Sequence, residues 1–98
     1  MKHVVEKLLN GEVITFRPKG NSMVPLIHSG QEVTVSPVNP ETQLAIGDIV
    51  LCKVKSKLFL HKIYAIGPDN KSWLIGNNKG YKNGWTRTIY GHVTNIGT

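Results

Sequence analysis

The stretch Pro18-Lys19-Gly20-Asn21-Ser22-Met23-Val24-Pro25 puts a hydroxyl on a glycine-led turn closed by a proline. A serine held on a sharp turn between a strand and a short helical turn is exposed as a nucleophile, provided a neighbouring base takes its proton. The same composition also suits a plain turn in which Ser22 only caps a short helix. These residues leave both readings open, and the choice depends on whether the chain supplies a base.

Carboxylates are scarce, so the base must come from the histidines (His3, His28, His61 and His92) or, as a second choice, from the lysines. His61 stands out. It lies in Leu58-Phe59-Leu60-His61-Lys62-Ile63-Tyr64-Ala65-Ile66, an apolar run of strand composition. A strand's period of two puts His61 on one face with Phe59 and Ile63, and Lys62 on the other with Leu58, Leu60 and Tyr64. An imidazole on an apolar face is commonly a satisfied core residue. Burial also keeps it neutral near pH 7, and a neutral imidazole is what a serine needs to lose its proton. His28 falls in a turn, and His3 and His92 lie near the two ends, so these three read as surface residues. Cys52 is the single cysteine. It has no disulfide or zinc partner, and its apolar surroundings mark it as a small buried hydrophobe.

The elements that must position these groups are read from periodicity. Residues 2–10 have Val4, Val5, Leu8 and Leu9 on one stripe and predict a short amphipathic helix, stopped at Asn10-Gly11. From there the pattern turns to β. Strands are expected over 12–17, 32–36, 49–54, 58–66, 71–75 and 86–96, the last with a bulge at Gly91. Ser22–Ile27 is expected to form one helical turn. Lys55-Ser56-Lys57 reads as a tight hairpin, the strand before it as central because both its faces are apolar, and Gly76–Gly84 as a polar loop. Six or seven short strands, one helix and no βαβ alternation predict a mainly β fold, a small curled and partly closed sheet.

Ninety-eight residues suit one domain, 1–98. No apolar run approaches the ~20 residues of a spanning helix, and the first ten residues lack the apolar core of a signal peptide. The expectation is therefore a soluble, cytoplasmic protein without a membrane anchor. The net charge of +6 points to acidic partners, either nucleic acid or an acidic protein surface. The lysines are spread along the chain, with the loosest cluster at Lys53, Lys55 and Lys57, so solubility alone also accounts for them. The histidines lack metal-ligand spacing, and the 76–84 loop lacks the ending of a phosphate loop. No metal or other cofactor is expected.

Taken in order, Gly20-Asn21-Ser22-Met23-Val24-Pro25, Gly30, Val33-Thr34-Val35, Gly47-Asp48-Ile49-Val50 and Leu60-His61-Lys62-Ile63 resemble the peptidase core shared by type I signal peptidases and the LexA/UmuD-like self-cleaving proteins. The likeness spans residues 13–96. It implies a curled β fold with Ser22 as nucleophile. Most bacterial members take their base from a lysine in the partner strand, whereas the archaeal and endoplasmic-reticulum types use a histidine in a His-Arg-(Ile/Val) setting, which His61-Lys62-Ile63 resembles. The implied dyad is Ser22–His61. The Ser22 N–H is one expected oxyanion donor, with Gly20 and Asn21 as neighbouring candidates.

This sequence departs from the family pattern in two places. Gly30-Gln31 stands where a Gly-Asp pair is usual. Gly76-Asn77-Asn78 stands where Gly-Asp-Asn is usual, which leaves Asn77, Asn78 or Asn83 to orient the imidazole in place of an acid. An amide accepts a hydrogen bond from imidazole but cannot stabilise imidazolium as a carboxylate does. No small-residue–Gly bond of the self-cleavage kind precedes the core.

Two functional expectations follow. The first is a small serine peptidase that binds an extended peptide as an added strand, with small side chains preferred near the cut. The second is a silent peptidase-like module whose basic surface, with Tyr81 and Trp85 in or beside the glycine-rich loop, contacts nucleic acid or a partner protein. Tyr81 and Trp85 equally suit a role as anchors of that loop. The small size of the domain would also suit a phage or other mobile element.

Overall fold

The computed structural model describes residues 2–97. One helix, α1 (Lys2–Leu9), precedes seven strands: β1 (Ile14–Phe16), β2 (Val33–Pro37), β3 (Ile49–Val54), β4 (Lys57–Ile66), β5 (Trp73–Gly76), β6 (Lys82–Thr86) and β7 (Thr88–Ile96). All pairings are antiparallel, and the strands form one sheet in the order β1-β2-β7-β3-β4-β5-β6.

The sheet is not closed, but it curls. The Thr86 hydroxyl on β6 donates to the Lys53 carbonyl on β3 (2.5 Å), three positions across in strand order. A Cβ on Gly84 would meet the Val54 side chain. One end of the sheet therefore folds back over its middle, giving the interior two apolar clusters. Val50, Cys52, Val54, Ile63 and Ile75 pack inside the curl. Leu51, Ile49, Leu60, Val33 and Val35 pack on the opposite face, where Leu8 of α1 and Met23 and Ile27 of the serine loop cover them. β3 feeds both clusters, with Ile49–Cys52 and Val54 all buried, which is why its sequence is apolar on both faces. Gly91 on β7 makes the seat for α1, since a Cβ there would come within 2.7 Å of Val35 and 3.0 Å of Leu8.

The expected class is the observed one, mainly β with one short helix; of the six or seven strands expected there are seven, in a sheet that curls but, unlike the partly closed one expected, does not close. Several local expectations change. The loop expected over Gly76–Gly84 contains the start of a strand, because Lys82–Thr86 pairs with β5. Its Asn-Gly composition conceals this; the ladder there carries an irregularity between Ile75 and Gly76, which leaves Asn83 as the extra residue. Thr86 consequently ends β6 instead of opening the last strand. On β7 the extra residue is Tyr90, next to Gly91, against β3, and Thr94 against β2. Residues 22–27 form consecutive turns closed by one bond of helical span, Ile27 N–H to Met23 C=O (3.0 Å), and not a regular helix. Pro25 has no N–H with which to extend that ladder. The hairpin is tight as expected, with Lys55 and Ser56 both at positive φ between paired Val54 and Lys57. No helix among the described residues is long and apolar enough to cross a membrane.

Candidate active site

β4 delivers His61 from the middle of the sheet. The residue pairs across to Val50 of β3 and stacks against Phe59 with ring centroids 5.0 Å apart. Only 8% of it is exposed. Burial holds the imidazole pKa below its ordinary value, while the hydrogen bond to Asn83 pulls in the other direction.

Both ring nitrogens are engaged. Nδ1 lies 2.7 Å from Asn83 Oδ1, and Nε2 lies 3.0 Å from Ser22 Oγ. The Asn83 carbonyl oxygen accepts only, so Nδ1 carries the proton and Nε2 is left as an acceptor for the serine hydroxyl. Three side chains from distant parts of the chain thus form one line: Ser22 from the turn after β1, His61 from β4 and Asn83 from β6. The bulge on β6 matters here. Strict alternation would put Asn83 and its neighbour Gly84 on opposite faces; the extra residue turns Asn83 toward the imidazole.

The three asparagines named from the sequence therefore separate. Asn83 holds the imidazole. Asn77 does not reach it. The Asn77 side-chain oxygen accepts from the Lys79 and Tyr81 backbone N–H groups (2.8 and 3.0 Å), closing the turn after β5. Its carbonyl accepts from the Tyr64 hydroxyl. Asn78 does not reach the imidazole either. Its backbone N–H donates to Ser22 C=O (2.9 Å), its amide NH2 donates to Val24 C=O (3.1 Å), and its side-chain oxygen accepts from Lys62 Nζ (2.8 Å). Gly76 before them must be glycine, since a Cβ would fall 2.4 Å from Tyr81 O and 2.8 Å from the Tyr64 ring.

Around the serine, the Gly20 N–H is taken by Ser29 Oγ (3.1 Å), so Gly20 is not a free oxyanion donor. The Asn21 carbonyl accepts from Val24 N–H, and the Asn21 side chain is exposed. No acceptor for the Ser22 N–H is found among the described residues. Met23 and Ile27, each 4% exposed, anchor the turn in the core on either side of the proline. Sequence reasoning did not assign Lys62, Ser29 or the Met23–Ile27 anchors to the site. The period-two placement of Lys62 away from the His61 face is correct, but its long side chain still reaches the serine loop through Asn78.

Other candidates lie elsewhere. Cys52 is fully buried, its thiol pKa pushed up to about 12 by burial, with Sγ 3.7 Å from Phe59 O. Such a thiol is inert. His3 and His28 are exposed. His92 is half-buried on β7, where it pairs with Ser36 and Val50. Tyr81 and Trp85 are 66% and 54% exposed, so neither anchors the loop to the core. A cavity of about 510 Å³ lies between the 38–44 loop, Trp73 and Ile89, away from Ser22 and His61.

Set beside known proteins, the chain matches no curated protein sequence. A family model does match. It covers residues 2–97 and so takes in the helix, all seven strands and the Ser22–His61–Asn83 line. By that match the chain belongs to the Peptidase S24-like family.

Proposed function

We propose that the protein is a serine peptidase of this family in which Ser22 is the nucleophile and His61 the general base. The observation that carries this reading is the single line Ser22 Oγ–His61 Nε2–Asn83 Oδ1, with separations of 3.0 and 2.7 Å. Ser22 Oγ attacks a peptide carbonyl carbon while its proton passes to Nε2. Nε2 then returns the proton to the departing amine, leaving an acyl-serine. Water attacks that ester by the same route and releases Ser22. Asn83 keeps the proton on Nδ1 throughout, so the working lone pair stays on Nε2. The Ser22 N–H is the available donor to the oxyanion. The histidine setting resembles that of the archaeal and endoplasmic-reticulum signal peptidases, with Lys62 in place of their arginine and an amide where an acid is usual.

An extended peptide needs a free strand edge. The sheet ends at β1 and β6. β6 lies against the β3–β4 hairpin around Gly84–Thr86. β1 is the end strand whose chain continues into the Ser22 turn, so it is the edge we assign to substrate. Incubation with a library of extended peptides, with products mapped by mass spectrometry, tests the reading. Cleavage by the wild type and none by Ser22→Ala supports it; equal cleavage by both sinks it.

A second reading is favoured by two specific features, the amide at Asn83 and the exposure of Trp85 and Tyr81 on a chain of net charge +6. In it the fold is a silent module that binds nucleic acid or an acidic protein. Binding to a single-stranded oligonucleotide that weakens steeply with salt and is lost in Trp85→Ala would favour this reading.

A further inference from the structure

Lys62 follows the proposed base directly and points to the other side of β4, yet its ammonium ends on the serine loop's own support. Nζ donates to Asn78 Oδ1 at 2.8 Å. Asn78 in turn makes the two bonds that hold the loop from outside, N–H to Ser22 C=O (2.9 Å) and Nδ2 to Val24 C=O (3.1 Å).

The chemistry of the three groups fixes their order. An asparagine amide is nearly symmetric in shape and can present either its oxygen or its NH2 to a neighbour. A lysine ammonium has donors only. Placed at one end of the Asn78 amide, it demands the oxygen there and so turns the NH2 toward the Val24 carbonyl, which can only accept. A side chain at position 62 that cannot donate would leave that orientation to the Val24 carbonyl alone and the amide oxygen without its partner. The ammonium is itself placed by Tyr64, whose ring it faces at 4.9 Å and whose hydroxyl donates to the Asn77 carbonyl in the same turn.

We propose that Lys62 is a positioning residue for Ser22: by fixing the Asn78 amide it clamps the Ser22–Val24 backbone to the same strand that carries His61. This rests on the dyad reading above. Adjacent residues of β4 then set the Ser22–His61 separation from two sides, His61 through its ring and Lys62 through Asn78. Lys62 is not the base in this arrangement. It lies on the opposite face from His61, its ammonium is committed to Asn78, and no hydrogen bond joins it to Ser22 among the described residues.

A misplacement of ~1 Å remote from the reacting atoms can cost about 10²-fold in rate. Loss of the clamp is therefore expected to slow reaction of Ser22 with a fluorophosphonate by ~10- to 100-fold. The experiment compares wild type, Lys62→Met, Lys62→Arg, Asn78→Ala and the Lys62→Met/Asn78→Ala double variant. It reads labelling rate against pH, together with hydrogen exchange at the Asn78 amide. Lys62→Met and Asn78→Ala should each slow labelling, their effects should not add in the double variant, and Lys62→Arg should restore most of the rate. The acid limb of the profile should move little, because both hydrogen-bond partners of His61 are kept. The Asn78 amide should exchange faster in Lys62→Met.

Unchanged labelling in Lys62→Met overturns the proposal. So does labelling abolished at every pH in both Lys62→Met and Lys62→Arg, which would make Lys62 the base. If the wild type itself is not labelled, the dyad reading fails, and the exchange rate decides the clamp alone: protection lost in Lys62→Met supports it, and protection unchanged refutes it. Thermal melting of each variant separates these results from misfolding.

Discussion

Ser22 lies in a run of turns, and His61 lies inside the longest strand of the sheet. The two regions are built on different principles. The His61 strand is fixed by ladders on both sides and by a buried cluster that includes Ile63 and Val50, both fully covered. The serine turn has no ladder. It is held by one bond of helical span, by the local Val24–Asn21 and Gly20–Ser29 bonds, by Met23 and Ile27 sunk in the other cluster, and by the two bonds from Asn78. Damage to the strand should therefore appear as lost stability. Damage to the turn's polar supports should appear as lost reactivity in a protein that still melts normally. The imidazole and the serine that faces it are therefore held by different interactions, and the separation between them depends on both.

The largest effect is expected at the dyad itself. His61→Ala should reduce Ser22 reactivity by ~10²–10⁴-fold, the usual worth of a positioned general base, as read by acylation with an activated ester. The next is a gain. Changing a triad acid to its amide costs roughly 10⁴ in kcat, so Asn83→Asp, which puts a carboxylate beside Nδ1, should raise the rate by at least about tenfold, with that figure as the ceiling. It should also move the acid limb of the rate profile upward, because a carboxylate favours imidazolium.

Third, Ile63→Ala on β4 removes a side chain with no exposed surface and should cost ~2–5 kcal/mol of stability in denaturant unfolding. The labelling rate of the folded fraction should barely change. The smallest effect is the pH dependence of stability. Burial lowers the folded-state pKa of His61 beneath the unfolded value near 6.5. Between those two values the unfolded chain binds more protons than the folded one. Stability from this group is therefore complete above about pH 6.5 and declines as pH falls toward the folded pKa, by at most ~1.4 kcal/mol per pH unit. His61→Gln should flatten that slope in urea titrations.

The sheet's strands were legible in the sequence wherever a run alternates or is apolar throughout, as in Ile49–Val54 and Leu58–Ile66. β6 was not, because Asn83-Gly84 has turn composition and its strand state comes from pairing with β5 and the curl over β3. The site was legible along similar lines. Ser22 and His61 follow from a turn composition, a strand period and a family pattern in order. Which asparagine meets the imidazole was not readable, since it depends on a bulge that only the ladder reveals. The Lys62–Asn78 contact lay beyond period-two reasoning for another reason. A strand's alternation gives the direction of Cβ, whereas a lysine's long stem reaches partners well away from it.

In the proposed mechanism Ser22 reacts because a neutral His61 takes its proton. Fluorophosphonate labelling of the wild type across pH 5–9, with the modified residue located by mass spectrometry, tests it most directly. The expected result is a single adduct on Ser22, an acid limb below the ordinary histidine value of about 6.5, and no adduct in His61→Ala on the same timescale. An adduct on Ser22 that forms equally fast in His61→Ala would contradict it.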